Sequence, residues 1–407
     1  MNLNTKNLSS GFSGGFIPFA RPDIGKEEEE AALRVLRSGW LTTGAEAKAF
    51  EEEFARYVGA SHALAVNSAT AGLHLALEAA GVESGGRVIT SPYTFAATAE
   101  VVRYLGAEPL FVDVEPGTFH IDPSGVEKAL KACGTRGCAE GRVGALVPVH
   151  IAGQVCRMES LTAIARRWGI PVVEDAAHSF PSRTASGFAG TLGDMGVYSF
   201  YATKTITTGE GGMVVTNNEA AAKRISLMRL HGIDREIWNR YTERGASWKY
   251  AVVEAGFKYN MTDLAAAIGR VQLRRAGEFL AKRQAIAAKY RAAFADKDYI
   301  ELPPDGEGHA LHLFIIRLVE SRLTLGRDEF IDRLAEKGVG TSVHFIPLHI
   351  HPYWQKRGGY KPEDFPHALD AYRRAISLPI YPAMTEEETQ RVIEAVIAAA
   401  EAGYTGP

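Results

Sequence analysis

Hydrophobic and polar positions alternate regularly over the first half of the chain, between Pro18 and Thr216. Short apolar runs predict strands, and the longer segments between them carry apolar residues at helical spacing. The predicted strands are 63–66, 87–90, 109–113, 145–149 and 170–174, and the predicted helices are 70–80, 95–105 and 158–168. Strands that are almost wholly apolar and separated by helices are typical of a parallel sheet covered on both faces.

The pattern changes near residue 194. Two apolar runs, 194–200 and 212–216, predict strands that are joined by a loop without a crossover helix. A long helix is predicted over 262–294, and Thr262 or Asp263 is able to cap its start. Beyond it, the pattern predicts a strand over 311–318, a helix over 327–337, a strand over 343–345 and a helix over 385–401.

These elements predict an α/β fold with a mostly parallel, mixed sheet and a second, smaller α/β unit. We expect a flexible polar tail over residues 1–15, a large domain over 16–276 and a small C-terminal domain over 277–407. The first residues lack the apolar stretch of a signal peptide.

Composition excludes several classes of protein. The 45 basic and 48 acidic residues give a net charge of −3, so no electrostatic footprint for nucleic acid or an anionic membrane is present. No apolar run reaches the length of a membrane span. The three cysteines, Cys133, Cys138 and Cys156, suit a reducing compartment and are expected to be free structural thiols. We therefore expect a cytoplasmic protein without a nucleic-acid or membrane partner.

Asn67-Ser68-Ala69-Thr70-Ala71-Gly72 lies between a predicted strand and a predicted helix. Hydroxyl groups and free backbone N–H groups at a helix N-terminus form an anion site, especially for phosphate. Plain capping of the helix by Ser68 or Thr70 is the alternative.

A second segment, Ile170 to His178, ends its apolar run at Glu174-Asp175. The carboxyl ends of parallel strands are where such sheets bind ligands. A buried carboxylate at Asp175 needs a cation or a hydrogen-bond donor as its partner. An Asp that caps the next helix is the alternative.

The third segment places Lys204 directly after the predicted strand that ends near Phe200, in a loop of small residues and glycines. Burial favours the uncharged amine and makes such a lysine a nucleophile. An exposed loop lysine is the alternative. A phosphate cradle, an Asp at a strand end and a lysine are together the requirements of pyridoxal phosphate.

The chain resembles the sugar aminotransferases of the DegT/DnrJ/EryC1/StrS family, within the fold-type I aspartate aminotransferase superfamily. The resemblance extends from Ile17 to the last predicted helix. The motifs are similar to those of the branch that aminates UDP-4-keto-arabinose in lipid A (lipopolysaccharide) modification. The motifs that carry it are Ser38-Gly39-Trp40-Leu41-Thr42-Thr43-Gly44, Ser68-Ala69-Thr70, Glu174-Asp175-Ala176-Ala177-His178, Ser199-Phe200-Tyr201-Ala202-Thr203-Lys204, Thr207-Thr208-Gly209-Glu210-Gly211-Gly212 and Tyr259-Asn260-Met261-Thr262-Asp263.

The resemblance implies that Lys204 is the catalytic residue and forms the Schiff base with pyridoxal phosphate, while Asp175 pairs with the pyridine nitrogen. The further cofactor contacts that it implies are Ala69, Thr70 and Ser199 at the phosphate, Phe95 and Ala177 on the two faces of the ring, His178 near the ring hydroxyl, and Asn260 from the neighbouring subunit. Phe95 and Ala177 could instead be core residues.

The resemblance also implies contacts to the substrate from Trp40, Tyr259, His344 and Tyr353. His344 lies in a segment that also holds His349 and His351. That segment contains no carboxylate or cysteine, so no metal site is expected.

The implied activity is transfer of an amino group, from L-glutamate, to a UDP- or dTDP-linked 4-keto or 3-keto sugar in two half-reactions by a homodimer with shared active sites. A ketone such as a cyclitol is an alternative acceptor, and a non-catalytic regulator that binds pyridoxal phosphate is a second alternative. A plain structural α/β protein is the third. A related sugar dehydratase carries His in place of the lysine, so Lys204 argues against that activity.

Overall fold

The computed structural model describes residues 15–133, 141–234, 250–305 and 308–406. The predicted N-terminal tail, except Gly15, and Cys138 lie outside these ranges. The other two cysteines are free: Cys133 is half-buried and Cys156 is buried.

Two sets of strands form one central sheet. In chain order its strands are β1 (His62–Val66), β2 (Arg87–Thr90), β3 (Glu108–Phe111), β4 (Val143–Val147), β5 (Val173–Asp175), β8 (Met195–Ser199) and β9 (Gly212–Thr216). A separate hairpin of β6 (Arg183–Thr184) and β7 (Gly187–Phe188) lies between β5 and β8 in the chain. The orders are β3-β2-β4 and β1-β9-β8-β5, and parallel bridges from Leu146 to Val172 and from Val149 to Asp175 join them. Among the described strands of this sheet, β9 alone runs in the opposite direction to the others, so the mixed, mostly parallel sheet is confirmed.

Helices cover this sheet and continue into the C-terminal part. They are α1 (Lys26–Ser38), α2 (Ala45–Val58), α3 (Ala69–Ala79), α4 (Ala96–Tyr104), α5 (Pro123–Cys133), α6 (Met158–Trp168), α7 (Glu219–Met228), α8 (Asp263–Phe294), α9 (Arg327–Glu336), α10 (Pro352–Gly358), α11 (Pro366–Arg374) and α12 (Glu386–Glu401). Ser68 caps α3 by accepting from the N–H of Ala71, and Thr262 caps α8 by accepting from the N–H of Ala265. Both caps were expected from the sequence.

A second sheet follows α8. Its order is β10-β11-β12, with β10 (Ile300–Glu301), β11 (Phe314–Leu318) and β12 (Ala375–Leu378). The predicted strand at 343–345 is wrong, because β12 occupies the place beside β11. The 343–345 segment is irregular: Tyr93 donates to the carbonyl oxygen of His344 at 2.7 Å, and the ring of His344 pairs with Ser377.

Helix α8 belongs to two hydrophobic cores. Ala266, Leu273 and Phe279 pack with the core beneath β1, β8 and β9. Ile286 and Tyr290 pack with the core of the C-terminal sheet. The helix therefore passes without interruption through residue 276, and the domain boundary proposed there stays a prediction. None of the described helices has the length and apolar character to cross a membrane.

Candidate active site

A cavity of about 470 Å³ opens where the carboxyl ends of β5 and β8 meet the N-terminus of α3. The loop between β8 and β9 forms one of its walls. Nine residues that the sequence singled out line it: Ala69, Thr70, Phe95, Asp175, Ala177, His178, Ser199, Lys204 and His344. The fold thus brings the three chemistry-bearing segments of the sequence to one place.

The start of α3 supplies donors for an anion. The first four N–H groups of a helix lack partners within it. Here Ala71 donates to Oγ of Ser68 at 3.1 Å, and Gly72 donates to the carbonyl oxygen of Ser68 at 3.0 Å. Within the described residues the N–H groups of Ala69 and Thr70 have no hydrogen-bond acceptor, so they can bind a ligand, and the helix dipole favours one with negative charge.

Gly212, the first residue of β9, allows the strand to pass close to this helix start. A Cβ at this position would lie 2.7 Å from the backbone nitrogen of Ala69 and 2.8 Å from the carbonyl carbon of Ser68. Any larger residue would push against the backbone that carries the anion donors. The glycine is therefore a steric requirement of the cradle.

Asp175 ends β5 as a buried carboxylate with two hydrogen-bond donors. Thr98 donates from Oγ1 to Oδ2 at 2.8 Å, and the N–H of Ala177 donates to Oδ1 at 3.2 Å. Burial raises the pKa of Asp175, while these bonds and the nearby charge of Lys204 oppose the rise. Among the described residues no cation lies within ion-pair distance of this carboxylate, so it can accept a charged partner from a ligand.

Lys204 follows β8 in a loop fixed by several hydrogen bonds. Its own N–H donates to the carbonyl oxygen of Tyr201 at 2.9 Å, and Thr205 donates from Oγ1 to the carbonyl oxygen of Phe180 at 2.6 Å. Burial lowers the pKa of Lys204 to about 8, against the opposing effect of the Asp175 carboxylate. Such a lysine holds a reactive fraction of free amine near neutral pH.

Histidines and aromatic rings form the wall beyond Lys204. The ring of His178 lies 4.5 Å from that of His312 and stacks on Phe345 at 5.5 Å. The N–H of Ala152 donates to Nδ1 of His178 at 3.4 Å, so a neutral His178 carries its proton on Nε2. Burial lowers the pKa of His344 to about 4, and its ring is neutral at pH 7.

Phe95 and Ala177 bound the cavity on different elements. Phe95 precedes α4, is 61% exposed, and its ring lies 5.8 Å from that of Phe345. A core role for Phe95 is therefore wrong in the single chain. Ala177 is half-buried and lies two residues after Asp175, where its N–H is occupied by that carboxylate.

The chain matches the model of the DegT/DnrJ/EryC1/StrS aminotransferase family over residues 22–397. It belongs to that family. It is 44% identical over 384 residues to the spore coat polysaccharide biosynthesis protein SpsC of Bacillus subtilis, an alignment that covers 94% of this chain and 96% of SpsC.

Solved structures of sugar aminotransferases share the fold. PseC of Helicobacter pylori, an aminotransferase of pseudaminic acid biosynthesis, is 28% identical, with a TM-score of 0.85 over 95% of this chain and 100% of PseC. Spr1654 of Streptococcus pneumoniae, assigned provisionally to the sugar aminotransferases, is 30% identical in its PMP form, with a TM-score of 0.86 over 95% of this chain and 99% of Spr1654. A PLP form of Spr1654 is also similar. This chain is accordingly a fold-type I, pyridoxal-phosphate-dependent sugar aminotransferase.

The cavity of this DegT/DnrJ/EryC1/StrS protein fits that cofactor. A helix start with free N–H groups suits the phosphate, and a buried carboxylate without a cationic partner suits a protonated pyridine nitrogen. Lys204 lies on the same cavity with a lowered pKa. These properties belong to the backbone and side chains of the described residues and support the cofactor without the family assignment.

Four predicted contacts do not line this cavity within the single chain. Asn260 donates from Nδ2 to Oγ1 of Thr43 at 2.6 Å and borders a neighbouring surface pocket. Tyr259 stacks on Phe257 at 5.1 Å. Trp40 donates from Nε1 to the carbonyl oxygen of Thr43 at 3.2 Å, and Tyr353 lines a separate pocket with Glu108, Lys356 and Arg357.

Thr98 and His312 are two of the cavity residues that sequence reasoning missed in this family member. Thr98 lies on α4, one turn after Thr94, and no local motif marks it as the partner of Asp175. His312 lies just before β11, far along the chain, and only the fold brings it beside His178.

The remaining histidines of the C-terminal segment lie apart. His349 is buried, and its Nε2 pairs with the carbonyl oxygen of Pro362 at 3.1 Å, while His351 precedes α10. Within the described ranges, no group of three or more His, Cys, Asp or Glu side chains is arranged to hold a metal ion.

Proposed function

We propose that this enzyme moves an amino group from L-glutamate to a nucleotide-linked keto sugar in two half-reactions, within the cytoplasm. The observation that carries the proposal is one cavity that holds Lys204, Asp175 and the anion-binding start of α3 together. The names of the relatives, which refer to spore coat polysaccharide and to pseudaminic acid, support a sugar acceptor used in building a surface polysaccharide.

Different residues of the cavity would hold different parts of the cofactor. Ala69, Thr70 and Ser199 would bind the phosphate through backbone N–H and hydroxyl groups, and the Asp175 carboxylate would favour a proton on the pyridine nitrogen. Phe95 and Ala177 would border the ring, and the Nε2–H of His178 would donate to its hydroxyl. When bound, pyridoxal phosphate supplies an electron sink for the carbon that gains or loses the amino group.

Lys204 is the general base and acid of the proposal. With a pKa of about 8, its amine would take the proton from the donor carbon that bears the amino group and deliver it to the cofactor carbon, and it would reverse this transfer on the acceptor. Asp175 keeps its carboxylate charge through the bonds from Thr98 and Ala177. The rings of Phe345, His178 and His344 line the cavity and restrict the access of water to Lys204.

A nucleotide-linked sugar needs more space than the cofactor alone, and aromatic side chains around the mouth suit it. Phe19, Tyr201 and Phe345 line the cavity, and Tyr201 is 47% exposed. Exposed rings at a cavity mouth favour stacking on a sugar or a base. Of the four proposed substrate contacts, His344 lines this cavity, and Tyr353 remains a proposed contact.

We also propose a homodimer in which Asn260, Tyr259 and Trp40 reach the cavity of the neighbouring subunit. Asn260 accepts a hydrogen bond from Nζ of Lys258, so a cation accompanies it. The pocket that it borders shares Glu210 with the cofactor cavity. Both features suit a site that is completed by a second copy of the chain.

Absorption spectra test the cofactor chemistry. Purified protein loaded with pyridoxal phosphate should show the band of the lysine-bound cofactor, and L-glutamate should convert it to the band of pyridoxamine phosphate. Lys204→Ala should abolish turnover, while Lys223→Ala, on an exposed helix face, should leave it unchanged. Substantial turnover by Lys204→Ala would disprove the role of the lysine.

Mixing of variants tests the shared site. Asn260→Ala should weaken retention of the cofactor, and mixing it with Lys204→Ala subunits should yield hybrid dimers in which one site combines both defects and the other has neither. Recovery of activity on mixing supports the exchange of residues between subunits. A fully active monomer in a sizing experiment would contradict it.

A further inference from the structure

His312 is a buried histidine on the cavity wall with an unsatisfied ring nitrogen. Its side chain is 4% exposed, and its ring lies 4.5 Å from that of His178. Nδ1 is buried and has no hydrogen-bond partner within the described residues. Buried polar atoms almost always have a partner, so this nitrogen needs an explanation.

The protonation state of His312 follows from its surroundings. Burial, with the charges of Lys204 and Arg283 nearby, lowers its pKa well below the ordinary value. The neutral ring carries one N–H. A buried N–H without an acceptor is rarer than a buried lone pair, so the proton belongs on Nε2 and the lone pair on the enclosed Nδ1. Nε2 is then the ring atom available to the cavity.

We propose that His312 is a further binding residue, whose Nε2–H donates a hydrogen bond to an oxygen of the molecule held beside Lys204. The inference rests on the proposed function, because the oxygen belongs either to pyridoxal phosphate or to the amino-acid donor. Both are oxygen acceptors, and the experiment below separates them.

The backbone around His312 is fixed from two sides. Arg283, itself buried, donates from Nη1 to the carbonyl oxygens of Leu311 at 3.1 Å and of His312 at 3.2 Å. The N–H of Ala310 donates to the carbonyl oxygen of Gly153, and the N–H of Leu313 donates to the carbonyl oxygen of Ala152, each at 3.2 Å. Ala152 also donates to Nδ1 of His178. The same short segment therefore positions both histidine rings, as a preorganised site requires.

Gly153 makes this close approach possible. A Cβ there would lie 2.9 Å from Cβ of Ala310 and 3.1 Å from the carbonyl oxygen of His178. If His312 served packing alone, a phenylalanine would fill a similar space without an unsatisfied nitrogen. The presence of a polar ring at a cost in stability indicates that its other nitrogen is used.

Two substitutions separate hydrogen bonding from packing. His312→Phe keeps a ring and removes the donor, whereas His312→Gln removes the ring and keeps an N–H donor at a similar reach. Unfolding of the protein without cofactor, titration of that protein with pyridoxal phosphate, and titration of the loaded protein with L-glutamate are measured for each. His309→Asn is the matched control, since His309 is buried in the same segment and does not line the cavity. Nδ1 of His309 accepts from the N–H of Leu311 at 2.9 Å, and the side-chain oxygen of asparagine keeps an acceptor there.

We expect His312→Phe to unfold at the wild-type temperature or above it and to bind one of the two molecules at least about tenfold more weakly, the loss of one good hydrogen bond. His312→Gln should recover most of that affinity, and His309→Asn should change neither affinity. A loss confined to pyridoxal phosphate assigns the oxygen to the cofactor, and a loss confined to L-glutamate assigns it to the donor.

Three results would overturn the proposal: wild-type affinities in His312→Phe, a His312→Gln variant as weak as His312→Phe, or an equal loss in His309→Asn. The proposed function fails in a different way. In that case the wild-type protein itself takes up no pyridoxal phosphate or, once loaded, does not respond to any amino donor.

Discussion

Thr98 on α4 donates a hydrogen bond from Oγ1 to Oδ2 of Asp175 at 2.8 Å, and Oγ1 of Thr94 lies 2.8 Å from the same hydroxyl. A helix on one face of the sheet thus stabilises a charge at the end of β5. Because burial raises the pKa of Asp175, these threonines help to keep the carboxylate ionised. The pairing with a protonated pyridine nitrogen depends on that charge.

Thr98→Val should therefore weaken the binding of pyridoxal phosphate. Loss of the donor raises the pKa of Asp175 further, so the carboxylate is ionised for less of the time. A hydrogen bond to a charged group is worth about 1.5–3 kcal/mol, which corresponds to a loss in affinity of about 10- to 100-fold. Fluorescence titration of the cofactor-free protein measures it. Thr162→Val, which removes a hydroxyl that donates within α6, is the control and should bind normally. Unchanged affinity in Thr98→Val would show that the bond does not govern the cofactor.

The reactivity of Lys204 should rise with pH through about 8, because the free amine forms as its proton leaves at that pKa. An unperturbed lysine would show this rise near pH 10.4. The nearby Asp175 carboxylate favours the charged ammonium, so Asp175→Asn should lower the pKa of Lys204 and move the rise to lower pH. Labelling of the cofactor-free protein by an amine-reactive reagent, followed by peptide mass spectrometry, gives both midpoints. Lys223 supplies the internal reference, and a shift to higher pH in Asp175→Asn would contradict the electrostatic reasoning.

Most of the large sheet was predictable because its strands are mostly buried. The apolar runs at 63–66, 87–90 and 212–216 mark β1, β2 and β9 within a residue. The C-terminal sheet was harder. The segment 343–345 is apolar enough for a strand, but its backbone and side-chain contacts go to Tyr93 and Ser377 instead. The real partner of β11 is β12, which follows α11 without a break that the sequence reveals.

The residues of the active site were likewise predictable only in part. Lys204 and Asp175 each follow or end a buried strand, and Ser68 begins a helix, so local sequence marks all three. Thr98 and His312 have no such mark, because their roles depend on how α4 and the C-terminal segment pack against β5. The sequence pattern of one chain does not indicate which residues a second subunit contributes. The roles proposed for Asn260, Tyr259 and Trp40 therefore stay predictions.

Glu174→Gln should destabilise the fold strongly. The buried Glu174 accepts from the N–H groups of Gly190 at 2.7 Å and of Leu192 and Gly193 at 2.6 Å, and it pairs with Nε2 of His150 at 2.8 Å. An amide at this position turns one acceptor into a donor that faces other donors. Breaking a buried pair of this kind costs about 3–5 kcal/mol in the free energy of unfolding. Urea denaturation measures the change. Glu52→Gln, on the exposed face of α2, should lie within about 0.5 kcal/mol of the wild type. A loss of similar size in both variants would show that the hydrogen bonds of Glu174 do not account for the loss of stability.

Gly212→Ala should damage the anion cradle and Gly277→Ala should not. The added methyl of the first variant would lie 2.7 Å from the backbone nitrogen of Ala69, whereas a Cβ at Gly277 on α8 meets nothing within 4 Å. Overpacking costs about 1–3 kcal/mol of stability, and displacement of the start of α3 should weaken the binding of pyridoxal phosphate as well. Gly277→Ala should raise the free energy of unfolding by about 0.5–1 kcal/mol, because alanine restricts the unfolded chain and favours the helix. Denaturation and cofactor titration on the two variants separate stability from binding. A Gly212→Ala protein that loses stability yet binds the cofactor with wild-type affinity would show that the phosphate is held elsewhere than at the start of α3.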